Sequence, residues 1–546
     1  MLYFIPAWYR QKEWCENEQT WYTRRTRTEF DDTVKHIQMF HRSGAYPFQI
    51  MLLGFAPNFR HFLHRQSVFH APYWSCFDAI QEVRRKKIRM FSVHNLYWPE
   101  HVEFVYSAFA LTAFLPDGGR VLAEFGEDGN MIQIDQYAEN QLLRRNIYDD
   151  RGFVSSTILF ENNKPTHQDY LTDKGVWKIR HFAKDGHVDV NPKSNTYLLE
   201  YQGQEYEKTY SKLQYDSLEQ VIEEVLEAYL ALTAVEDIFC VAMHGLHTRL
   251  MERTLKNRKT IMSFFGSRYE VGDLEQNRDY IRTADYIIAD SRENHQLLQS
   301  TLGDDIKHII EITPFDSRVD FGISQQLAVQ KIMVPVDGMS EKRFRNLICQ
   351  LALYLPTNEN ARIHLFTRIA DLDRKSQLLE QTRKILHEEG FEEGWAISAT
   401  EKNQAENRLD AEMVSQRFYV EQCVSELSVS ACIREQRVIV DMRKRTEVYL
   451  RIMGLSVGIP QIVYRETQFV EDGKNGRLIK DVSLLPEILT YYLDNLTNWN
   501  EAVVYSYEHG KNYTTQVLLE KWKEVIDFVG SGTSITTGVE RLESNI

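Results

Sequence analysis

Few residues in this chain are of a type and spacing that could do chemistry. His244 and His247, in the segment HGLH, could begin a metal site, but no third ligand of suitable spacing accompanies them. A core or cleft histidine pair is therefore expected, with no metal and no cofactor. GLSVG at Gly454–Gly458 spells GxSxG but leads into the strand PQIV instead of following a strand and opening a helix, so it is no elbow for a serine nucleophile, and there is no GxxxxGK(S/T) loop to cradle nucleotide phosphates. More informative is TEVYLRIMGLSVGIPQIV at Thr446–Val463, followed by EDGKNGRLI at Glu471–Ile479. Gly458, Pro460, Gly473 and Gly476 suit turns that carry a helix end or loop into a strand under the C-terminal edge of a sheet, where open α/β sheets bind ligands.

These positions need a frame, and the hydrophobic periodicity supplies one. MLYFIPAW, PFQIMLLGF and IRMFSVHNL read as strands, with a helix over Thr28–Met39 whose apolar residues Phe30, Val34, Ile37 and Phe40 fall three or four apart. Thr28 with Asp31 offers it a capping start, and Gly44 a stop. Residues 103–215 change grammar: AFALTAFL, RVLAEF, MIQIDQY, STILFEN, VWKIRHF and TYLLEYQ are separated by the turn signals PDGG, EDGN, ENNKP and KDGH. That punctuation predicts a meander of antiparallel strands.

Alternation resumes with the helix SLEQVIEEVLEAYLALT and the strands DIFCVAMHG, KTIMSFFG and DYIIADS, the last completing the first sheet. HIIEITPFDSRVDFGISQQLAV reads as a linker. A second alternating domain follows, with strands QKIMVPVD, ARIHLFTR, RFYVEQ, RVIVDM and PQIVYRE, then helices at Leu484–Leu493 and Thr515–Phe528. The expected fold is α/β, two Rossmann-like domains with an inserted antiparallel β-meander. The expected boundaries are 1–102 and 216–328 for the first domain, 103–215 for the meander, 329–510 for the second domain, 511–530 for a closing helix and 531–546 for a flexible tail.

The totals agree. A chain of 546 residues exceeds one hydrophobic core at about 100–200 residues per domain. A net charge of −14 argues against a general nucleic-acid partner. Cys15, Cys76, Cys240, Cys349, Cys423 and Cys432 lie in apolar contexts without a CxxC pair, as reduced core thiols do. No run approaches the ~20 apolar residues of a membrane span, and MLYFIPAW lacks the flanks of a signal peptide, so the expected location is the cytoplasm. Three basic clusters, Arg24 with Arg25 and Arg27, Arg84–Lys87, and Arg443–Arg445, are read as solvated helix ends and loops, or as contacts with a partner or anionic lipid.

Gly458–Pro460 with QIV and EDGKNGRLI, together with DYIIADSREN at Asp285–Asn294, resemble the GT-B retaining glycosyltransferases. In that family two glutamates stand eight residues apart before the GxP turn, one facing the transferring sugar and one holding ribose hydroxyls. The matching positions here are Arg445 and Met453, so both carboxylates are absent. Glu447, two residues off, should face elsewhere, because two residues turn a helix by about 200°. The family also places an Arg and a Lys after the first donor-domain strand to neutralise a diphosphate. The loop VDGMSEKRFR has Gly338 or Met339 at the Arg position and retains Lys342 or Arg343 for the second charge. The glycine-free loop after the first strand, with Trp8, Tyr9, Trp14, Trp21, Tyr22, Arg24 and Arg25, suits a partner surface better than a phosphate cradle.

With YFIPAW, EFDDTVKHIQMF, FLHRQSVF and YWSCFDAIQ, the whole chain resembles the first of the accessory Sec system Asp proteins of Gram-positive cocci. That resemblance implies a glycosyltransferase-like protein without transferase activity. It implies a cytosolic component needed to export a glycosylated serine-rich-repeat adhesin, and peripheral contact with anionic membrane through the basic clusters is compatible with that role. The implied partners are the other two Asp proteins, the accessory Sec ATPase and the adhesin itself. The alternatives are an active retaining transferase built around Glu447 or Glu466 with Lys342, and a module that binds the adhesin's glycans.

Overall fold

The computed structural model describes residues 1–531 except 17, 19, 21–29, 90, 304–307, 319 and 398–415. Its first sheet has seven strands, all paired in parallel. In spatial order they are Ile309–Glu311, Tyr286–Ala289, Lys259–Phe264, Ile238–Ala242, Leu2–Ile5, Phe48–Leu52 and Tyr73–Ser75. The central strands LYFI and IFCVA are buried throughout, because helices cover both faces.

Two expectations fail here. The third strand is Tyr73–Ser75, followed by the short helix Cys76–Ile80, and the described residues of IRMFSVHNL form loop with one short turn at Val93–Asn95. Its apolar residues serve instead as a lid: Phe91, Val93, Leu96 and Trp98 pack on one face of the inserted sheet. The supposed linker contributes the seventh strand, Ile309–Glu311, before it crosses to the second domain.

The helix from the opening segment runs Asp32–Ser43. Asp31 caps it, accepting from the Thr33 N–H at 2.9 Å, and Gly44 ends it at φ 61°, a left-handed conformation that glycine adopts without strain. Thr28 lies outside the described residues. Phe30 precedes the cap and leaves the helix's apolar face for a cluster in the second domain.

The insert is a ten-stranded sheet, antiparallel throughout, from Glu103–Tyr106 at one edge to Gln214–Tyr215 at the other. Two of its strands, Gln141–Asp149 and Lys164–Leu171, are too polar to announce themselves in the sequence. TYLLEYQ departs from the meander: Thr196–Tyr201 and Gln204–Thr209 form a separate hairpin, and Tyr197 and Leu199 join the core of the first domain.

The second domain is a six-stranded parallel sheet ordered Phe418–Gln422, Ala361–Thr367, Gln330–Pro335, Gln436–Asp441, Gln461–Val463 and Gly476–Leu478. Helices Leu485–Leu493 and Leu496–Gly510 pack beside it. The last helix, Thr515–Ser531, returns to the first domain and buries Leu518, Trp522, Val525, Ile526 and Val529 among Phe4, Phe40 and Phe48. The Trp522 ring meets the edge of Phe40 at 5.4 Å.

Candidate functional site

The C-terminal edges of the two parallel sheets face each other across a cleft, and the helix Val448–Val457 stands at its centre. Glu447 is the N-cap, in extended conformation, and Gly458 ends the helix at φ 81°. Gly476 is required by close approach: a Cβ there would lie 2.0 Å from the carbonyl oxygen of Gln461, its partner strand.

The amino end of this helix would ordinarily attract an anion. Here the chain supplies its own. Asp441 receives a two-pronged contact from Arg443, at 2.9 Å to each carboxylate oxygen, and Arg451 Nη2 lies 2.6 Å from Oδ2. The Arg451 contact is an ion pair too bent to count as a hydrogen bond. Burial alone would raise the Asp441 carboxyl, but Arg443 and Arg451 outweigh it and hold it below the usual carboxylate value. Glu447 accepts from Arg368 Nη1 at 2.7 Å and lies 3.4 Å from Arg443 Nη1. Glu447 therefore faces the cleft after all, because a capping residue does not follow the helix's step of about 100°.

An aromatic partition divides the space around this helix. The Phe30 ring carries the Arg368 guanidinium at 3.5 Å and meets Tyr449 at 4.9 Å, and Tyr449 meets Phe315 at 5.0 Å. On one side lies a cavity of about 800 Å³ lined by Arg445, Lys444, Arg465, Glu447, Asp290 and Glu293. On the other lies a groove of about 970 Å³ lined by Met453, Lys35, Arg42, Glu426 and Ser456. Arg445 and Met453 thus open into different spaces, so the two positions do not share one pocket. Lys342 is exposed and lines neither, while Arg343 turns away to donate to the Met442 carbonyl at 2.7 Å and to stack on Tyr464.

Across the cleft the first domain contributes buried charge. Arg268 donates to Asp31 Oδ2 and Asp32 Oδ2 at 3.0 Å each, and Ser263 donates to Asp32 at 2.7 Å. Burial pushes the Asp290 carboxyl up to about 6, against hydrogen bonds from Gly266 N–H, Ser291 and Asn294. His247 is fully buried with Nδ1 3.0 Å from the Tyr9 hydroxyl, and burial pushes it down to about 3. His244 accepts from the Leu246 N–H, and no metal-binding group of three His, Cys, Asp or Glu exists among the described residues.

The aromatic opening loop is only partly a surface. Trp8 is buried against Phe59 and Phe62 and donates to Asp31 at 2.9 Å. Tyr9 and Trp14 meet edge to face at 5.5 Å, and Trp14 packs on the first core. These three rings serve the fold because Asp31 and His247 satisfy the polar atoms of Trp8 and Tyr9. Trp21, Tyr22, Arg24 and Arg25 lie outside the described residues. Of the other basic clusters, Arg84 and Lys86 pair with Glu205 and Glu200, and Arg443 is buried. The sequence reading did not find Arg368, Asp441 or Arg451. Arg451 and Asp441 carry a signal in retrospect, as charges inside otherwise apolar helix and strand runs.

The comparisons with known proteins bear on this arrangement. The model of the family of the first accessory Sec system Asp protein matches residues 1–528. The first accessory Sec system Asp protein of Streptococcus gordonii is 30% identical over 538 residues, spanning 96% of this chain and 100% of that protein. A crystal structure of accessory secretory proteins 1, 2 and 3 of Streptococcus pneumoniae contains a chain 27% identical, with TM-score 0.76 and coverage of 98% and 100%. The pneumococcal O-GlcNAc transferase GtfA, solved with UDP and GlcNAc, shares the fold at TM-score 0.66 and 13% identity, covering 97% of this chain and 98% of that one. The fold is that of the GT-B glycosyltransferases, and the chain belongs to the family of the first accessory Sec system Asp protein.

Proposed function

We propose that this protein is a non-catalytic, glycosyltransferase-like scaffold of the accessory Sec system, acting by assembly with the other two Asp proteins. The observation that carries the reading is the self-satisfied helix terminus. Glu447 and Asp441 neutralise the arginines that could meet a diphosphate, and the Phe30–Tyr449–Phe315 partition separates Arg445 from Met453. Arg368, Arg443 and Arg451, the cations nearest the helix end, are already paired with Glu447 and Asp441 and so offer little to a leaving group. Its role would be to support export of a glycosylated serine-rich-repeat adhesin beside the accessory Sec ATPase. It would work on the cytoplasmic side and touch anionic membrane peripherally. No described helix is long and apolar enough to cross a membrane. A relative's complex of three accessory secretory proteins supports the assembly.

One observation favours a second reading, an active transferase: Glu447 does line the cleft cavity. Calorimetric titration with UDP-sugars, followed by a donor-hydrolysis assay on the same sample, separates the two. The scaffold reading expects neither binding nor turnover, together with co-purification of the three Asp proteins. Micromolar binding with turnover, abolished in Glu447→Gln, would replace it with the second.

A further inference from the structure

The cleft cavity of about 800 Å³ contains cations that the ion pairs around the central helix leave over. Lys444, Arg445 and Arg465 line it and are exposed, so they stand at its mouth. None of the three has an ion-pair or hydrogen-bond partner among the described residues. Lys444 and Arg445 follow the strand Gln436–Asp441, and Arg465 follows Gln461–Val463. These strands are neighbours, with Asp441 opposite Val463, so the two loops leave the sheet side by side. Like charges gathered in this way repel one another, and an acidic ligand would relieve that repulsion.

Most of the acids that share the cavity are engaged elsewhere. Glu447 accepts from Arg368 at 2.7 Å, and Asp290 accepts from the Gly266 N–H at 2.8 Å, Asn294 at 2.7 Å and Ser291 at 2.9 Å. Glu293 is the exception. Burial raises its carboxyl above the usual carboxylate value, against the pull of Arg465 and Arg445, so it acts as a weak internal competitor for these cations. Uncharged groups are available as well: the side chains of Ser267, Gln296 and Thr446 line the cavity and make no hydrogen bond among the described residues. Phe265 and Tyr449 add apolar wall.

We propose that the mouth of this cleft holds an acidic peptide in extended form, a segment of a partner protein. Carboxylates spaced along such a chain can meet Lys444, Arg445 and Arg465 one at a time, while Ser267, Gln296 and Thr446 hydrogen-bond its amides. A diphosphate fits less well, because its place at the amino end of Val448–Val457 is taken by Glu447. A flat lipid surface fits less well too, because the cations line a recess between two domains. The inference deepens the scaffold reading and rests on it, since a nucleotide bound in the cleft would claim the same cations.

The test is fluorescence anisotropy of rhodamine-labelled hexaglutamate with the full chain at low ionic strength. Hexaglutamine is the control, and UDP at matched concentration and phosphatidylglycerol vesicles are the competitors. Hexaglutamate should bind, hexaglutamine should not, and added salt should weaken the binding. Lys444→Gln, Arg445→Gln and Arg465→Gln combined should weaken it about tenfold, at roughly twofold for each exposed ion pair lost. All three side chains are exposed, so the variant should fold. Glu293→Gln removes the competing charge and should strengthen binding about twofold, a gain that a merely structural role does not produce. No binding, equal binding of hexaglutamine, or an affinity unchanged in the triple variant would overturn the proposal. So would displacement by UDP, which returns the cations to a nucleotide, or by the vesicles, which assigns them to a membrane. Absence of hexaglutamate binding without UDP-sugar binding sinks this inference alone, whereas UDP-sugar turnover sinks the scaffold reading as well, so the two failures are distinguishable.

Discussion

Replacing Glu447 by Gln removes one negative charge and almost no volume, which isolates the electrostatic role of the helix cap. In the wild type its carboxylate holds Arg368 at 2.7 Å; the Arg368 side chain is 20% exposed and Glu447 31%. Arg443 retains Asp441 in the variant, so the stranded cation is Arg368, left against Phe30. Exposed pairs are worth about 0–1 kcal/mol, and breaking a fully buried pair costs about 3–5 kcal/mol; this half-buried pair should cost about 2 kcal/mol. For a domain of about 150–250 residues that is a fall in Tm of roughly 4–8 °C. Differential scanning calorimetry reads the shift. The second arm adds pyrophosphate. Freed Arg368 at a helix amino end should bind it, and ligand at about 100 times Kd would restore about 2.7 kcal/mol. The wild type should show no such rescue. An unchanged Tm, or equal stabilisation of wild type and variant by pyrophosphate, would refute the idea that Glu447 stands in for a bound anion.

Other outcomes follow from the same geometry. His36 is buried beside Trp522, and burial lowers it to about 4. The unfolded chain therefore takes up that proton first, and stability present above about pH 6.5 is lost toward pH 4 at up to about 1.4 kcal/mol per pH unit. Urea titrations across this window should show a shallower acid limb in His36→Leu. Gly476→Ala must move the Gln461 carbonyl or abandon the strand pair, so it should destabilise the second domain and appear as insoluble or protease-sensitive protein. Normal yield and Tm would show that the edge strand yields easily. Trp522→Ala should cost about 3–5 kcal/mol and release the last helix to limited proteolysis near residue 515 while the six-stranded sheet stays protected.

Much of this architecture was legible because its strands obey simple rules. Buried parallel strands such as IFCVA and IMVP are continuous apolar runs, and the inserted sheet has a turn signal at nearly every corner. Reading failed where the same apolar residues could serve two purposes. IRMFSVHNL has the composition of a strand, yet its side chains cover a sheet rather than extend one. Phe30 fits a helical stripe by spacing but is spent on the second domain's aromatic cluster. At the site, the glycines and the two missing carboxylates could be counted from the GxP turn. The replacement pairs could not: Arg368 and Glu447 are 79 residues apart, and only the folding of the second sheet brings them together.

The return of Thr515–Ser531 to the first sheet has a consequence for biosynthesis. The first domain is assembled from the opening segment, the strands after the insert and the helix Thr515–Ser531, whose Trp522 fills the middle of the cluster around Phe4 and Phe40. On the ribosome, at about 5–20 residues per second, the inserted sheet and the second domain can both mature before that last helix emerges. The domain begun first is thus completed after the insert and the second sheet. Chains that stop early would display an open apolar face where the helix belongs, marking them for chaperones and proteases before they could enter any assembly.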